Sequence, residues 1–230
     1  MEAQISPVAL SSHSQSTRSI ADDAPLLRGV SHLLAFFASV SLGAILLVAS
    51  PGIVPRLATV VFAASVTAMF AASALYHRFP WSPRERAVMR RVDHAMLYMC
   101  IAGSYTAYVL LALSGTWKIA ILGSVWSGVL IAIVTKIVWV DGPRWLAATI
   151  GVLLGWLGVA TVPQALGSGG NSAVGLMLAG GLLYTLGAVV YGLKRPNPFP
   201  RVFGFHEIFH LFVIGAVACH YVAIVLLVGI

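Results

Sequence analysis

The sequence predicts an all-α integral membrane protein: a bundle of seven transmembrane helices with the N-terminus in the cytoplasm and the C-terminus outside. Of the 230 residues, 59% are hydrophobic and 9% are charged, whereas soluble chains average about 25% charged residues. Because a water-exposed surface needs more polar groups than this, the composition excludes a soluble globular domain. The apolar residues also gather into runs of about 20, the length that a helix needs to cross a bilayer.

Seven apolar runs follow one another along the chain. We predict spans near residues 30–50, 57–76, 93–113, 119–139, 145–163, 173–192 and 205–228. The breaks between them, in order, lie at Pro51-Gly52, Pro80-Trp81, Ser114-Gly115, Asp141 to Pro143, Gly167 to Gly170 and Pro196 to Pro200, where Pro and Gly interrupt helices. The polar, Ser-rich residues 1–25 are predicted to form a disordered cytoplasmic tail, so the transmembrane domain occupies residues 26–230.

The Lys and Arg residues predict the orientation, because cytoplasmic loops carry an excess of both. With seven alternating spans, 12 of the 14 basic residues fall on one side. Only Arg56 and Lys118 fall on the other. The protein is therefore predicted to be a multi-pass protein of the plasma (inner) membrane with a cytoplasmic N-terminus. The basic residues that give the net charge of +7 serve as topology signals, so we do not expect nucleic acid as a partner. Membrane lipid is the expected partner.

Histidines from two distant spans fall at one predicted depth. His77 ends span two on the cytoplasmic side, and His206 and His210 begin span seven on the same side. Residues four apart lie on one face of a helix, about 6 Å apart along its axis. His206 and His210 can therefore bind one divalent metal, and His77 is the best third ligand by depth. Three protein nitrogens with an open fourth position are typical of catalytic zinc.

Other polar residues at this depth leave alternatives open. His94 and His220 are interpreted as histidines of the helix core. Ser73, one turn before the span-two histidine, bonds either to the metal site or to a backbone carbonyl. Asp93, at the predicted start of span three, is either a general base or an N-terminal cap. Glu207 completes the zinc-protease pattern H-E-x-x-H, or is a solvated acid in the first turn of its helix.

Four short motifs resemble those of a known family. They are Ser73-Ala-Leu-Tyr-His77, Arg91-Val-Asp93, Ile101-Ala-Gly-Ser-Tyr-Thr106 and Phe205-His-Glu-Ile-Phe-His210. In this order across seven spans, they resemble the hemolysin III family, the bacterial branch of the progestin and adiponectin receptor superfamily. That group is also similar to the alkaline ceramidases. The resemblance extends from about Leu26 to the C-terminus and therefore covers every span.

The resemblance implies a catalytic zinc site. Its Zn²⁺ ligands would be His77, His206 and His210. It also implies that Asp93 lies beside a zinc-bound water and that Ser73 belongs to the site. The implied activity is hydrolysis of a membrane lipid, such as a lipid amide, in which zinc polarises the carbonyl and Asp93 takes a proton from the water.

The sequence is also compatible with two further functions. In the first, the zinc is structural, and the bundle is a non-enzymatic sensor or receptor-like protein of membrane homeostasis. In the second, the protein is a cytolysin, as the family name suggests, although seven spans would hold the chain in its own membrane. Related receptors tend to carry an uncharged residue where this chain has Glu207, so the resemblance assigns no role to that residue.

Overall fold

The computed structural model describes residues 25–139, 141–167 and 170–230. Within these ranges, seven helical segments are long and apolar enough to cross a membrane. The predicted all-α bundle of seven spans is therefore confirmed. The predicted disordered tail, residues 1–25, lies outside the described residues except for Pro25.

The helices follow the predicted order along the chain. They are α1 (Val30–Ala49), α2 (Ile53–Arg78), α3 (Pro83–Ala112), α4 (Gly115–Val138), α5 (Arg144–Trp156), α6 (Val162–Gly167), α7 (Asn171–Leu193) and α8 (Phe205–Val228). A 3₁₀ segment, Leu157–Thr161, joins α5 to α6, and these three pieces together form the fifth span.

The interruption of the fifth span coincides with a tyrosine from α3. The Tyr105 hydroxyl donates to the carbonyl of Gly155 at 2.5 Å and accepts from the amide of Gly158 at 2.6 Å. These bonds occupy backbone groups that would otherwise pair along a continuous helix. Tyr105 therefore attaches the centre of α3 to the fifth span and supports its 3₁₀ turn.

Helix α3 begins ten residues earlier than the third predicted span. Ser82 is its N-cap and forms a reciprocal capping box with Glu85, with Pro83 in the first turn. This combination is a strong helix start, so the charged segment after it is helical. Asp93 therefore lies within α3, and the prediction that it starts the helix, with its alternative role as an N-terminal cap, is wrong.

The bundle buries one continuous core and exposes an apolar outer surface. Helix α3 contacts α2, α4, α5 and α8, and the pairs α7–α8, α2–α3 and α1–α2 share the most extensive contacts. Large apolar side chains such as Phe37, Val48 and Leu130 are more than half exposed. An exposed apolar surface of this kind matches a lipid environment.

We call one end of the bundle the basic end: there α1, α3, α5 and α8 begin, and α2, α4 and α7 finish. The segment before α1 attaches to the loop before α8 at this end. The amides of Leu26 and Leu27 donate to the carbonyls of Arg201 and Val202, at 3.0 and 3.1 Å. These bonds bring the start of α1 beside the start of α8.

The orientation of the bundle is testable with topology reporters. We expect a reporter on the N-terminus and one beside Arg84 to be cytoplasmic, and one fused after Ile230 to be external, because the basic end should face the cytoplasm. Accessibility of each reporter in intact cells is the measurement. A cytoplasmic reporter after Ile230 would contradict the alternation of seven spans.

Candidate metal centre

Three histidines converge at the basic end of the bundle. His77 is the penultimate residue of α2, and His206 and His210 lie in the first two turns of α8. One ring nitrogen from each forms a group whose members all lie within 4.8 Å of one another. The His206 and His210 ring centroids are 4.6 Å apart, as their shared helix face predicts. The fold thus brings together His77 and His206, which are 129 positions apart in sequence.

The separation of these nitrogens fits a small divalent metal ion. The Nε2 atoms of His77 and His206 are 3.1 Å apart. A tetrahedral ion with metal–nitrogen bonds of about 2.0–2.1 Å, as zinc has, separates two ligands by about 3.3 Å. The ring nitrogen of His210 lies within 4.8 Å of the other two ligand atoms. The group could therefore hold a metal through three histidine ligands.

A fourth histidine, His32 of α1, supports this group and was not assigned a role from the sequence. Its ring stacks on that of His210, with centroids 3.7 Å apart and planes 9° apart. It is 2% exposed, and its Nδ1 forms a hydrogen bond of 2.8 Å with the Ser73 hydroxyl. The depth reasoning that selected His77 would also select His32, because α1 begins at the same end.

Ser73 bonds to this histidine and lies near the carboxylate of Asp93. When His32 donates from Nδ1 to the Ser73 hydroxyl, the hydroxyl hydrogen is free to point toward that carboxylate. Ser73 therefore lies between the histidine stacked on His210 and the acid on α3.

Glu207 points away from the three histidines. Its Oε1 accepts from the guanidinium of Arg28, and its Oε2 accepts from the amide of Gly204 at 2.7 Å. The side chain is only 2% exposed. Glu207 is thus a first-turn acid, but the expectation that it is solvated is wrong, because the segment before α1 covers it. Since both oxygens are occupied, the carboxylate is poorly placed to act as the base of an H-E-x-x-H site.

The two remaining histidines of the spans lie outside the group. His94 donates from Nδ1 to the Arg90 carbonyl at 2.6 Å, which agrees with its interpretation as a satisfied residue of the helix. His220 is buried, and its ring lies 5.6 Å from that of Tyr184. Neither belongs to the candidate metal group found among the described residues.

A cavity of about 710 Å³ adjoins the three histidines. Its wall includes all three, together with Ser73 and Asp93, and it extends between α3, the fifth span and α7. The wall contains one other carboxylate, Asp141, which pairs with Arg90 at 2.5 Å. Asp93 is therefore the cavity carboxylate without an Arg or Lys partner among the described residues.

Comparison with known proteins gives one consistent result. The profile of the protein family described as "Haemolysin-III related" matches residues 22–221. The chain is 32% identical over 158 residues to a protein named "Hemolysin-3 homolog" from Bacillus subtilis (strain 168), covering 69% of this chain and 71% of the relative. It is 29% identical over 158 residues to "Hemolysin-3" from Bacillus cereus, covering 69% of each chain.

Proposed function

The chain belongs to the haemolysin-III related family, and from this premise we propose that it is a zinc-dependent hydrolase acting on a lipid within the plasma membrane. The observation that carries the proposal is that the three histidines and Asp93 share one cavity. A catalytic metal needs such a cavity beside it, whereas a structural metal is enclosed by protein ligands. Lipid is the proposed substrate because the cavity lies within a membrane bundle.

His77, His206 and His210 would hold the zinc. When bound, zinc would polarise the carbonyl of the substrate and activate water for attack. Asp93 would accept the proton released by that water at its carboxylate and then deliver it to the leaving group. Ser73, which lies near Asp93, would orient the carboxylate by donating a hydrogen bond to it. Stacking of His32 on His210 would fix the ring of that ligand.

Measured turnover tests this proposal. Purified protein is incubated with a panel of membrane lipids that includes lipid amides, and released fatty acids are quantified. We expect hydrolysis of at least one lipid class, its loss after chelation and its recovery when zinc is restored. A zinc-loaded, folded protein that hydrolyses none of these lipids would favour the non-enzymatic alternative, in which the metal is structural.

A substitution near His77 tests whether its ring position matters. Gly29 has φ of +77°, and a Cβ there would lie 2.6 Å from the Cβ of His77. Gly29→Ala should therefore displace His77 and lower zinc affinity by about 10–100-fold, as other changes that misorient ligands do. Titration of metal-free protein with zinc measures this effect.

Gly229→Ala is the matched control. Gly229 also has a positive φ, +83°, but no atom lies within 4 Å of its missing Cβ. It ends α8 at the opposite end of the bundle. Gly229→Ala should lower thermal stability through backbone strain of about 1–2 kcal/mol and leave zinc affinity unchanged. Equal zinc affinities in the two variants would contradict the proposed position of His77.

A further inference from the structure

The cavity beside the histidines is long and has two chemically different ends. Along α3, its wall extends from Arg86 to Tyr108, a rise of about 33 Å at 1.5 Å per residue. The wall at the far end includes Val159, Val162 and Val174. The near end coincides with the basic end of the bundle. The cavity is therefore polar at one end and largely apolar at the other.

The basic end of the cavity carries an excess of positive charge. Six basic side chains line the wall: Arg28, Arg86, Arg90, Lys136, Arg144 and Lys194. Two of them have carboxylate partners, because Arg28 pairs with Glu207 and Arg90 pairs with Asp141. The other four form no ion pair with any described residue. Lys136 is 6% exposed, and the carboxylate that acts on it, Asp141, is already paired with Arg90.

Two of these cations are held beside the histidine group by tyrosines. The guanidinium of Arg86 lies 5.6 Å from the ring centre of Tyr76, whose ring is 4.6 Å from that of His77. At the start of α5, the Arg144 guanidinium lies 5.7 Å from the ring centre of Tyr191. The Tyr191 ring is 5.8 Å from that of His206.

These contacts orient both arginines without using their N–H groups. A guanidinium that rests on an aromatic ring keeps its donors available, and their planar arrangement matches phosphate and carboxylate oxygens. Each arginine is separated from a histidine of the group by one tyrosine ring. An anion bound by the arginines would therefore lie next to the histidine group and toward the basic end.

We infer that the cavity binds an anionic lipid, with its phosphate or carboxylate head group held by Arg86 and Arg144 and its acyl chain along α3 toward Tyr108. From Asp93 to Tyr108 the cavity wall extends about 22 Å. This exceeds the half-thickness of a bilayer core, about 15 Å, so the cavity accommodates a whole acyl chain. A soluble anion would leave this apolar length unused.

As an assignment of substrate class, this inference rests on the proposed function, but binding is measurable without turnover. Wild-type protein in uncharged detergent is titrated with three probes of equal chain length: a monoacyl glycerol phosphate, a fatty acid and a zwitterionic monoacyl phosphocholine. We expect one or both anionic probes to bind at least about tenfold more tightly than the zwitterionic probe. Tighter binding of the phosphate probe identifies a lipid phosphate, and tighter binding of the fatty acid identifies a carboxylate.

A matched pair of double variants tests the residues. Arg86→Gln with Arg144→Gln should reduce anionic binding about tenfold or more. The control, Arg84→Gln with Arg201→Gln, removes the same charge from exposed side chains at the same end that do not line the cavity. It should bind the probes as wild type does. Equal losses of affinity for the anionic probes in the two variants would overturn the inference, because the cations would then act only through the overall electrostatic potential of the protein.

The wild-type comparison remains decisive if the cavity variant fails to fold. Equal affinity of the wild type for all three probes overturns the inference. Selective binding of an anionic probe by a protein that hydrolyses no lipid supports the inference while the proposed function fails. Hydrolysis of uncharged lipids, with no preference for anionic probes, leaves the proposed function standing and overturns the inference.

Discussion

Replacement of His206 and His210 together by alanine is expected to abolish zinc binding, whereas the unmodified protein should carry about one zinc per chain. The reason is geometric, because the double variant leaves His77 as the only ligand of the group. Structural and catalytic zinc sites use three or four protein ligands. The one remaining imidazole should therefore bind zinc far more weakly than the three together. Elemental analysis of protein purified in detergent, normalised to chain concentration, measures the result.

Loss of the metal should also destabilise the bundle. Helices α2 and α8, which contribute the three ligands, share little other contact. A metal bound between them therefore adds a cross-link that the apolar packing does not supply, and its binding free energy adds to the stability of the fold. We expect a lower thermal midpoint for the double variant and for chelated wild-type protein, measured in the same detergent.

His94→Ala is the matched control for this experiment. His94 also lies at the basic end and lines the cavity, but its Nδ1 is engaged with the carbonyl of Arg90. The variant should retain about one zinc per chain. Retention of zinc by the His206→Ala, His210→Ala variant together with its loss in His94→Ala would mean that the proposed ligand set is wrong.

The seven spans and the histidine group were predictable from sequence because both depend on simple constraints. A span needs about 20 apolar residues, and alternating spans bring the end of the second and the start of the seventh to one side. The spacing of His206 and His210 then sets their shared face. These inferences require only topology and helix geometry, not the details of side-chain packing.

The features that sequence reasoning missed depend on tertiary contacts or local capping. His32 joins the site through stacking on His210, which requires the approach of α1 to α8. Glu207 is buried by Arg28, a partner 179 positions away. The early start of α3 was missed because apolar run length defined the spans, and the charged helical segment that follows Ser82 does not count toward that length.

The two acids near the histidines should differ sharply when neutralised. Asp93→Asn is expected to reduce lipid hydrolysis by about 10²–10⁴-fold, the scale of a lost general base. Asparagine has nearly the shape of aspartate, and Asp93 is not one of the three ligands, so zinc content and fold should be retained. The rate constant for lipid hydrolysis, measured with zinc-loaded protein of known concentration, reports the effect.

Glu207→Gln should leave hydrolysis within a few-fold of wild type but lower stability. The Glu207 carboxylate is engaged by Arg28 and by the amide of Gly204, so it is unavailable to accept a proton from water. Hydrogen bonds to charged groups contribute about 1.5–3 kcal/mol, so loss of the ion pair should lower the thermal midpoint. Comparison of both variants for zinc content, thermal midpoint and turnover separates catalytic from structural effects.

The pattern across the two variants discriminates among the functions. Large loss of turnover in Asp93→Asn with retained zinc supports an acid on α3 as the base of a lipid hydrolase. The opposite pattern, with Glu207→Gln inactive and Asp93→Asn active, would instead require the H-E-x-x-H arrangement and a movement of Arg28 away from Glu207. If neither variant alters any measured turnover while both retain zinc, the metal is structural. The histidine group would then serve to hold α2 against α8, because the only other carboxylate among the described residues of the cavity wall, Asp141, is paired with Arg90.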